Sequence, residues 1–162
     1  MARMTWSFSP ERVDTPDATS LRRDYFGDVA GRYYGRVLSE DEYDEGMIDE
    51  GLELLAPPAG AFLVGRYEGK AAACGGIVLL DGERAELTRV FIRPAFRGLG
   101  GADLLLDGLE RAARALGARR AVLNTRLDLV EARALYARHG YGEIPAYCSG
   151  PYMEIWYGKE LG

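Results

Sequence analysis

The part of the sequence that points most directly to chemistry is the glycine-rich stretch Arg97-Gly98-Leu99-Gly100-Gly101-Ala102. It follows a strand-like run at 86–92 and opens a strongly amphipathic helical pattern. The first backbone N–H groups of a helix have no acceptor within the helix, and a glycine-rich turn aims several of them at one point. Together with the positive end of the helix dipole, these groups favour an anion. The stretch therefore predicts a phosphate-binding loop.

Two common phosphate-binding loops do not fit this stretch. A Walker loop ends in Gly-Lys-Ser or Gly-Lys-Thr, and this chain has neither the lysine nor the hydroxyl there. The dinucleotide-binding fingerprint requires a third glycine, where this chain has Asp103 after Gly98 and Gly100. What remains is the pattern Arg-x-x-Gly-x-Ala after a strand that ends at 91–94, or a plain glycine-rich turn between a strand and a helix.

Length and hydropathy limit the classes of protein to which the chain can belong. The 162 residues suffice for one domain with a single core, so one domain over 1–162 is predicted. No apolar run approaches the roughly 18 residues that span a bilayer. Residues 1–14 lack the apolar segment of a secretory signal. We therefore expect a cytoplasmic location and no membrane partner.

Cysteine, histidine and charge exclude further classes. The chain has two cysteines, Cys74 and Cys148, and one histidine, which predict no metal site. Cys74 lies in an apolar run and is expected to be a small core residue in a reducing compartment. The net charge of −5 argues against a nucleic-acid partner, because phosphate contacts need clustered lysines and arginines. Residues 40–53 contain eight acids and no base, which indicates a solvated helix face or a patch that steers cations.

The first half of the chain is predicted to contain two helices and four strands. The helices are expected at 17–35 and 40–55, and the second one is acidic and is stopped by Pro57-Pro58. The strands are expected at 5–9, 61–67, 71–80 and 84–92. Because short turn sequences separate the last three strands, these should form an antiparallel meander.

The clearest element is the helix that follows the glycine-rich stretch, with its leucines and alanines on one face from Ala102 to Leu116. A strand is expected at 120–125. Asp128 and Glu131 then have the spacing of a capping box for a helix that ends at 139–140. The last strands are expected at 141–147 and 152–159. The order of elements predicts an α+β fold, a mostly antiparallel mixed sheet of about seven strands with helices on both faces.

A second motif supports a family resemblance. The last predicted helix and its end read Ala-x-x-Leu-Tyr-x-x-x-Gly-Tyr from Ala132 to Tyr141. With the glycine-rich stretch before it, this motif resembles the GCN5-related N-acetyltransferase (GNAT) superfamily, in its branch of small bacterial acetyltransferases, over about residues 61–161. The resemblance implies the acyl-CoA N-acyltransferase fold. It also implies an acetyl-CoA-binding core at 61–162, with acceptor-side helices at 1–60.

The resemblance implies direct transfer of an acetyl group from acetyl-CoA to a primary amine of a small molecule or peptide, without a metal. The cofactor-binding residues that it implies are the loop residues Arg97, Gly98, Leu99, Gly100, Gly101 and Ala102 for the pyrophosphate, and Phe91 and Ile92 for the pantetheine arm. Leu129 stands where many relatives have an asparagine that contacts the cofactor, so this contact is either lost or made by Asn124. Dimers are frequent in the superfamily and make a homodimer a candidate, although no feature of the sequence requires one.

Two residues are candidates for proton transfer. An alkyl ammonium group titrates near 10 and must lose a proton before it attacks a thioester, and the departing thiolate has a conjugate pKa of about 8.5. Tyr136 matches the family's tyrosine beside the cofactor sulfur and is expected to be the general acid. Glu86 is the best candidate for the general base, acting through water. The structural alternatives are that Tyr136 is an aromatic residue of the core and that Glu86 is a carboxylate at the end of a strand.

The acceptor side is less well defined by the sequence. Tyr33, Asp41 and Tyr43 on the N-terminal helices are weaker options for the base and candidates for acceptor binding. Tyr147 and Tyr152 are also expected to line the acceptor pocket, although sheet packing would explain tyrosines there as well. Asp103 departs from the family pattern, because a carboxylate at this helix start would compete with a bound phosphate unless it points away. His139 precedes a glycine at a helix C-terminus, where a surface role is expected.

Three functions are compatible with these motifs. The leading one is an N-acetyltransferase for a small amine or a protein N-terminus, and the acidic segment mildly favours a cationic acceptor such as a polyamine or an amino sugar. A non-catalytic acyl-CoA-binding or regulatory domain with the same fold is the rival, supported by Asp103 and Leu129. A toxin-like acetyltransferase that acts on charged tRNA is the third, and the acidic net charge counts against it.

Overall fold

The computed structural model describes residues 5–48 and 51–162. Its helices are α1 (Pro16–Tyr34), α2 (Glu40–Gly46), α3 (Gly101–Ala115) and α4 (Val130–Arg138). Its strands are β1 (Trp6–Pro10), β2 (Gly60–Tyr67), β3 (Lys70–Leu79), β4 (Arg84–Ile92), β5 (Arg120–Thr125), β6 (Gly142–Glu143) and β7 (Ile155–Glu160). They form one seven-stranded sheet in the order β1-β2-β3-β4-β5-β7-β6. Every neighbouring pair is antiparallel except β4 and β5, which confirms the predicted mixed sheet.

Helices cover both faces of the sheet because side chains alternate along each strand. On β2, Leu63 contributes to a cluster with the leucines of α3, whereas its neighbours Phe62 and Val64 contribute to a cluster with Leu21 of α1. The fully buried leucines of α3 are Leu105, Leu106 and Leu109. Burying one such side chain contributes about 1.5–3 kcal/mol, so the apolar stripe fixes α3 on the sheet. Cys74 is a fully buried member of the α1 cluster, as predicted.

A bulge and a separation of strands open the sheet at its centre. The register between β3 and β4 shifts between Cys74 and Gly76, and Arg89 in β4 adopts a left-handed φ of 54°. On its other side, β4 pairs in parallel with β5 from Arg84 to Glu86. Beyond Glu86 the two described strands no longer pair, although β4 continues to Ile92. Main-chain groups of β4 are therefore left facing a gap in the sheet.

Several predicted elements were wrong. The helix expected at 40–55 ends at Gly46, Gly51 adopts a left-handed φ of 86°, and a single 3-10 turn follows at Leu52–Leu54, while residues 49–50 lie outside the described part. The short α2 has no buried residue among those described, so no apolar stripe extends it.

The C-terminal strands and the start of α4 also differ from the prediction. The strand expected at 141–147 is reduced to β6, because Pro145 cannot donate to a ladder, and β7 starts at Ile155 rather than at 152. Asp128 does not cap α4: its carboxylate accepts two hydrogen bonds from Arg126, and the N-cap residue is Leu129, which makes no side-chain cap bond.

Candidate active site

The glycine-rich loop has the backbone geometry of an anion cradle. Gly98 and Gly100 adopt left-handed φ angles of 80° and 83°, and a Cβ at either position would meet open space within 4 Å among the described residues. Gly100 is the N-cap residue of α3, and no described side chain caps this helix. The first N–H groups of α3 are thus available to an external anion.

Trp6 of β1 packs against this loop and is hydrogen-bonded to it. Its indole Nε1 donates a hydrogen bond of 2.9 Å to the carbonyl oxygen of Leu99, and its ring packs so closely under Gly101 that a Cβ there would collide with it. Trp6 was not among the predicted site residues, because its place beneath a loop 93 positions later in the chain follows from the sheet order and not from any local pattern. Leu99 itself is exposed and offers its backbone rather than its side chain.

A cleft of about 490 Å³ runs from this loop to the point where β4 and β5 separate, and we call it the main cleft. Its lining comes from α1, β4, the glycine-rich loop, β5 and α4. Predicted site residues in this lining are Glu86, Phe91, Ile92, Arg97, Gly98, Gly100, Gly101, Ala102, Asn124 and Tyr136. The fold thus brings the two catalytic candidates and most of the cofactor-binding candidates to one cavity.

Two pairs of oppositely charged side chains lie around the loop, Arg97 with Asp28 and Arg138 with Asp103. Arg97 is anchored by a bond of 2.9 Å from its Nε to the carbonyl oxygen of Ile92, and its guanidinium lies 3.8 Å from Asp28. Asp103 approaches the C-terminal end of α4: its Oδ1 lies 3.3 Å from His139 Nδ1 and 3.7 Å from Arg138. Because Arg138 counters the charge of Asp103, this carboxylate opposes a phosphate less than the sequence suggested.

Glu86 sits at the other end of the main cleft with two polar partners. The Tyr147 hydroxyl donates a hydrogen bond of 2.6 Å to Glu86 Oε2, and Asn124 Nδ2 donates to the same oxygen at 3.4 Å. Burial, together with the neighbouring Glu86, raises the pKa of Tyr147, so its phenol keeps the proton that it donates. Hydrogen bonds therefore join the general-base candidate Glu86 to the cofactor-binding candidate Asn124 and to the acceptor-binding candidate Tyr147.

Tyr136 of α4 belongs both to the core and to the main cleft. It is 7% exposed, and its ring packs at 5.9 Å from that of Tyr141 and at 6.1 Å from that of Tyr157. Burial raises the pKa of Tyr136, so the phenol is protonated throughout the neutral range. A protonated phenol is the state required to give a proton to a leaving thiolate.

A second cavity of about 420 Å³ adjoins the main cleft, and we call it the tyrosine cavity. The two cavities share lining residues, among them Asn124 and Thr125 of β5. The aromatic residues that line the tyrosine cavity are Tyr25, Phe26, Tyr33, Tyr34 and Tyr152. Tyr33 thus lies in a cavity, as expected of an acceptor-binding residue. Phe26 and Tyr34 were not among the predicted site residues, because aromatic residues at these positions of α1 are also explained by packing.

Two other acceptor-binding candidates, Asp41 and Tyr43, line neither of the two cavities. Tyr43 of α2 turns onto α1, where its ring packs at 6.0 Å from Phe26 and lies 4.0 Å from the guanidinium carbon of Arg23. Asp41 is exposed on the same short helix. The structure therefore does not bring Asp41 and Tyr43 together with the other candidates, since the short α2 directs its one aromatic side chain inwards.

The acids of α2 are partly neutralised by arginines. Glu42 forms a pair of hydrogen bonds with Arg36, each 2.7 Å long, which together with the Ser39 backbone lowers the pKa of Glu42 to about 2. Glu40 lies 2.7 Å from Arg23. A helix face that is paired and solvated explains this segment better than a patch that steers cations.

His139 is not the surface residue that was expected. Its side chain is 12% exposed, and its ring lies within 3.0–3.7 Å of Asp103, Asp107 and Glu110. Asp107, Glu110 and His139 offer potential metal-ligand atoms within 4.8 Å of one another, a grouping that the sequence analysis missed. Lys159 Nζ, however, lies 2.9 and 3.1 Å from the two oxygens of Glu110. An internal ion-pair network accounts for the cluster.

Known proteins share this sequence pattern. The acetyltransferase (GNAT) family matches residues 9–141. The uncharacterized N-acetyltransferase YjgM of Escherichia coli K12 is 36% identical over 100 residues, which cover 60% of this chain and 60% of that protein. An IAA acetyltransferase of Azospirillum brasilense is 34% identical over 102 residues, covering 62% of this chain and 65% of that protein. The matched region spans less than two thirds of the length of either relative.

Solved structures share the architecture. A protein from Klebsiella pneumoniae assigned as an acyl-CoA N-acyltransferase superposes with a TM-score of 0.74 at 26% identity, covering 97% of this chain and 98% of that one. A GNAT family acetyltransferase from Elizabethkingia anophelis, solved with acetyl-CoA bound, has a TM-score of 0.64 at 16% identity and covers 96% and 97%. The predicted fold class is confirmed by these similarities. Within residues 5–48 and 51–162, no helix has both the length and the apolar character needed to cross a membrane.

Proposed function

The chain belongs to the acetyltransferase (GNAT) family, and we propose that it transfers an acetyl group from acetyl-CoA to a primary amine of a small molecule or peptide. The observation that carries this proposal is the main cleft, which joins an uncapped glycine-rich helix start to the Glu86 carboxylate and is also lined by Tyr136. A cleft with an anion cradle at one end and a proton acceptor at the other suits an anionic thioester donor and an amine acceptor.

The residues around the loop fit the cofactor's pyrophosphate. The open space at Gly98 and Gly100 lets phosphate oxygens approach the backbone, which a Cβ would hinder. The main-chain groups of β4 beyond Glu86 lie beside Phe91 and Ile92 in the main cleft and can pair with the amides of the pantetheine arm. When bound, acetyl-CoA supplies the activated acetyl group as a thioester.

Glu86 is the proposed general base. It is the last residue of β4 that pairs with β5, at the part of the main cleft that Asn124 also lines, and its Oε2 is held by Tyr147 and Asn124. These bonds orient the carboxylate and are compatible with proton acceptance at Oε1, directly or through a water molecule. The base removes the proton of the ammonium group, which is the form in which an alkyl amine enters at neutral pH.

Tyr136 is the proposed general acid. Its phenol is kept protonated by burial, and the residue lines the cleft between α4 and the glycine-rich loop. A donor at that place can give a proton to the thiolate that leaves, after which solvent restores the phenol. The tyrosine cavity is the proposed entry for the acceptor, because it opens into the main cleft at Asn124 beside Glu86.

The experiment that tests this proposal combines a binding and a turnover measurement on the same protein. We expect calorimetric titration with acetyl-CoA to give a dissociation constant of about 1–100 μM, and release of the CoA thiol to become faster when a primary amine is added. Saturable binding without amine-dependent thiol release would instead indicate the non-catalytic acyl-CoA-binding domain. Absence of binding would contradict both functions.

A further inference from the structure

Three tyrosines at the mouth of the tyrosine cavity are packed on one another and yet exposed. Tyr33 and Tyr34 come from the last turn of α1, and Tyr152 comes from the segment before β7. Their exposed fractions are 54%, 52% and 51%, and the ring of Tyr33 lies 5.1 Å from each of the other two in edge-to-face geometry. A cluster of half-exposed rings at the edge of a cavity marks a surface that a ligand can cover.

The charge of the cavity wall limits what this ligand can carry. Among the described residues that line the tyrosine cavity, none has a carboxylate, and Arg126 is the one with a permanent charge. Arg126 is fixed in the wall by bonds of 2.8 and 2.9 Å to Asp128 and of 2.7 Å to the carbonyl oxygen of Val29. Its guanidinium carbon lies 5.4 Å from the centre of the Tyr33 ring. Because Asp128 is already paired with Arg126, the wall offers no unpaired carboxylate to a second ammonium group.

The rest of the lining is made mostly of aromatic rings and apolar side chains. Apart from the tyrosine hydroxyls, Arg126, Asn124 and Thr125, the described wall consists of Phe26, Val29 and other apolar groups. A sugar that packs on these ring faces and apolar groups would lose water from hydroxyls that those surfaces cannot bond. The wall thus disfavours both of the cationic acceptors, polyamine and amino sugar, that the acidic segment suggested.

The connection to Glu86 fixes the direction in which a ligand would lie. Asn124 lines both cavities, and its side chain is 3.4 Å from Glu86 Oε2. An amine placed for deprotonation by Glu86 would extend its remaining part past Asn124 into the tyrosine cavity. The cavity volume of about 420 Å³ is in the range of small-ligand sites.

We propose that the acceptor is a primary amine with an uncharged aromatic tail, which packs on Tyr33, Tyr34 and Tyr152 while its amino group lies beside Asn124 and Glu86. This inference rests on the proposed acetyltransferase function, because it assumes that Glu86 receives the proton of the amine. In the transfer, Glu86 first passes the ammonium proton to solvent, and the neutral amine nitrogen then forms a bond to the acetyl carbon and gives its second proton to Glu86 as the carbon–sulfur bond breaks. The thiolate receives the phenol proton of Tyr136, and solvent carries the proton of Glu86 back to Tyr136, so that one proton is released overall.

The test measures thiol release from acetyl-CoA with four amines that differ in the tail. 2-Phenylethylamine has an aromatic tail, 2-cyclohexylethylamine an apolar tail of similar size, 1,6-diaminohexane a second ammonium group, and glucosamine a hydroxylated ring. We expect kcat/KM to be highest for 2-phenylethylamine, by about 10-fold over the diamine and glucosamine and by a smaller factor over the cyclohexyl amine. Calorimetry with acetyl-CoA is run on the same preparations.

A matched pair of variants locates the effect in the cavity. Tyr152→Leu removes the ring, and Tyr152→Phe keeps it and removes the hydroxyl. We expect the leucine variant to raise KM for 2-phenylethylamine by about 5–10-fold with little change in kcat, and the phenylalanine variant to stay near the wild type. Acetyl-CoA affinity should be the same in both variants, because Tyr152 does not line the main cleft in the described structure.

The outcomes separate the two proposals. Equal or higher kcat/KM for the diamine or glucosamine, or an unchanged KM in Tyr152→Leu, would overturn the aromatic acceptor and leave the acetyltransferase function standing. Acetyl-CoA binding without thiol release for any of the four amines would overturn the proposed function, and the inference about the acceptor with it.

Discussion

The two sides of the candidate active site are built in opposite ways. On the cofactor side, the loop from Arg97 to Ala102 offers backbone N–H groups from one contiguous stretch, and its glycines matter because they lack side chains. On the acceptor side, the tyrosine cavity takes its rings from α1 and from Tyr152, near the two ends of the chain. A site made of backbone is visible in glycine spacing, whereas a site made of distant side chains becomes visible once the sheet order is known.

The two sides meet at Glu86, so the largest effect is expected from Glu86→Gln. This variant keeps the size of the side chain and removes the proton acceptor, and we expect kcat to fall about 10³-fold at neutral pH. The defect should shrink as the pH approaches the ordinary value near 10 of an alkyl amine, because the amine then loses its proton without help. Thiol-release kinetics from pH 6.5 to 9.5 measure this.

Acetyl-CoA affinity provides the control for Glu86→Gln. It should change less than about twofold, since the carboxylate is at the far end of the main cleft from the anion cradle. An unchanged kcat would remove Glu86 from the mechanism and would leave its bond with Tyr147 as a structural link between β4 and the segment before β7.

Tyr136→Phe is expected to have the next largest effect. The variant keeps the packing ring and removes the proton donor, and kcat should fall about 10²-fold with acetyl-CoA affinity preserved. Burial raises the pKa of Tyr136, and an acid with a raised pKa stays protonated to higher pH. The alkaline decline of kcat that is due to this residue should therefore lie above its ordinary value of about 10.

The matched control is Tyr141→Phe, the same change in the neighbouring ring. The Tyr141 hydroxyl donates a hydrogen bond of 2.9 Å to the buried carboxylate of Glu110, in the described ion-pair network and not in the main cleft. This variant should lose about 1–3 kcal/mol of unfolding free energy with kcat unchanged. Equal losses of kcat in both variants would indicate that Tyr136 acts through packing.

A third comparison concerns the cofactor side alone and uses Gly100→Asp with Gly100→Asn. Both residues place a side chain of the same size at a left-handed φ of 83°, so strain is similar in the two variants. They differ by one negative charge at the helix start. We expect calorimetry to show acetyl-CoA affinity about 10-fold weaker in the aspartate variant than in the asparagine variant. Equal affinities would indicate that strain, and not a phosphate, makes glycine necessary here.

The parts of the fold that sequence predicted well are those with local signals. The leucines of α3 recur at helical spacing, and the strand-like runs of β2, β3 and β4 are separated by short turns, so their bounds lie within one or two residues of the prediction. The helix expected at 40–55 failed because acidic composition indicates a solvated helix and does not show where it stops. The short α2 packs on α1 through Tyr43 and Phe26, and this contact between segments has no signal in the acidic composition.

The residues of the candidate site show the same division between local sequence signals and contacts that depend on the fold. Loop residues and Tyr136 could be identified because motif spacing along one segment carries them. The bond between Glu86 and Tyr147 joins residues 61 positions apart, and the wall built on Arg126 uses the Asp128 that the sequence had assigned to a helix cap. Asp41 and Tyr43 were chosen for their chemistry, and their absence from the lining of both cavities follows from how α2 sits on α1.

Trp6→Phe tests how far the cofactor side depends on a distant residue, and its expected effect is the smallest. Phenylalanine keeps an aromatic ring under Gly101 and removes the hydrogen bond to the Leu99 carbonyl. A net hydrogen bond contributes about 1 kcal/mol, so unfolding free energy should fall by about that amount, and acetyl-CoA affinity by about two- to threefold as the loop loosens. Chemical denaturation and calorimetry measure the two quantities.

The result decides whether the loop is a local or a tertiary structure. If affinity falls together with stability while KM for the amine is unchanged, β1 holds the cradle in place, and even the side that the sequence predicted best needs a contact that spans the sheet. If stability falls and affinity does not, the glycines and the helix start form the cradle by themselves. The contrast between a locally encoded cofactor side and an acceptor side assembled by the fold would then be complete.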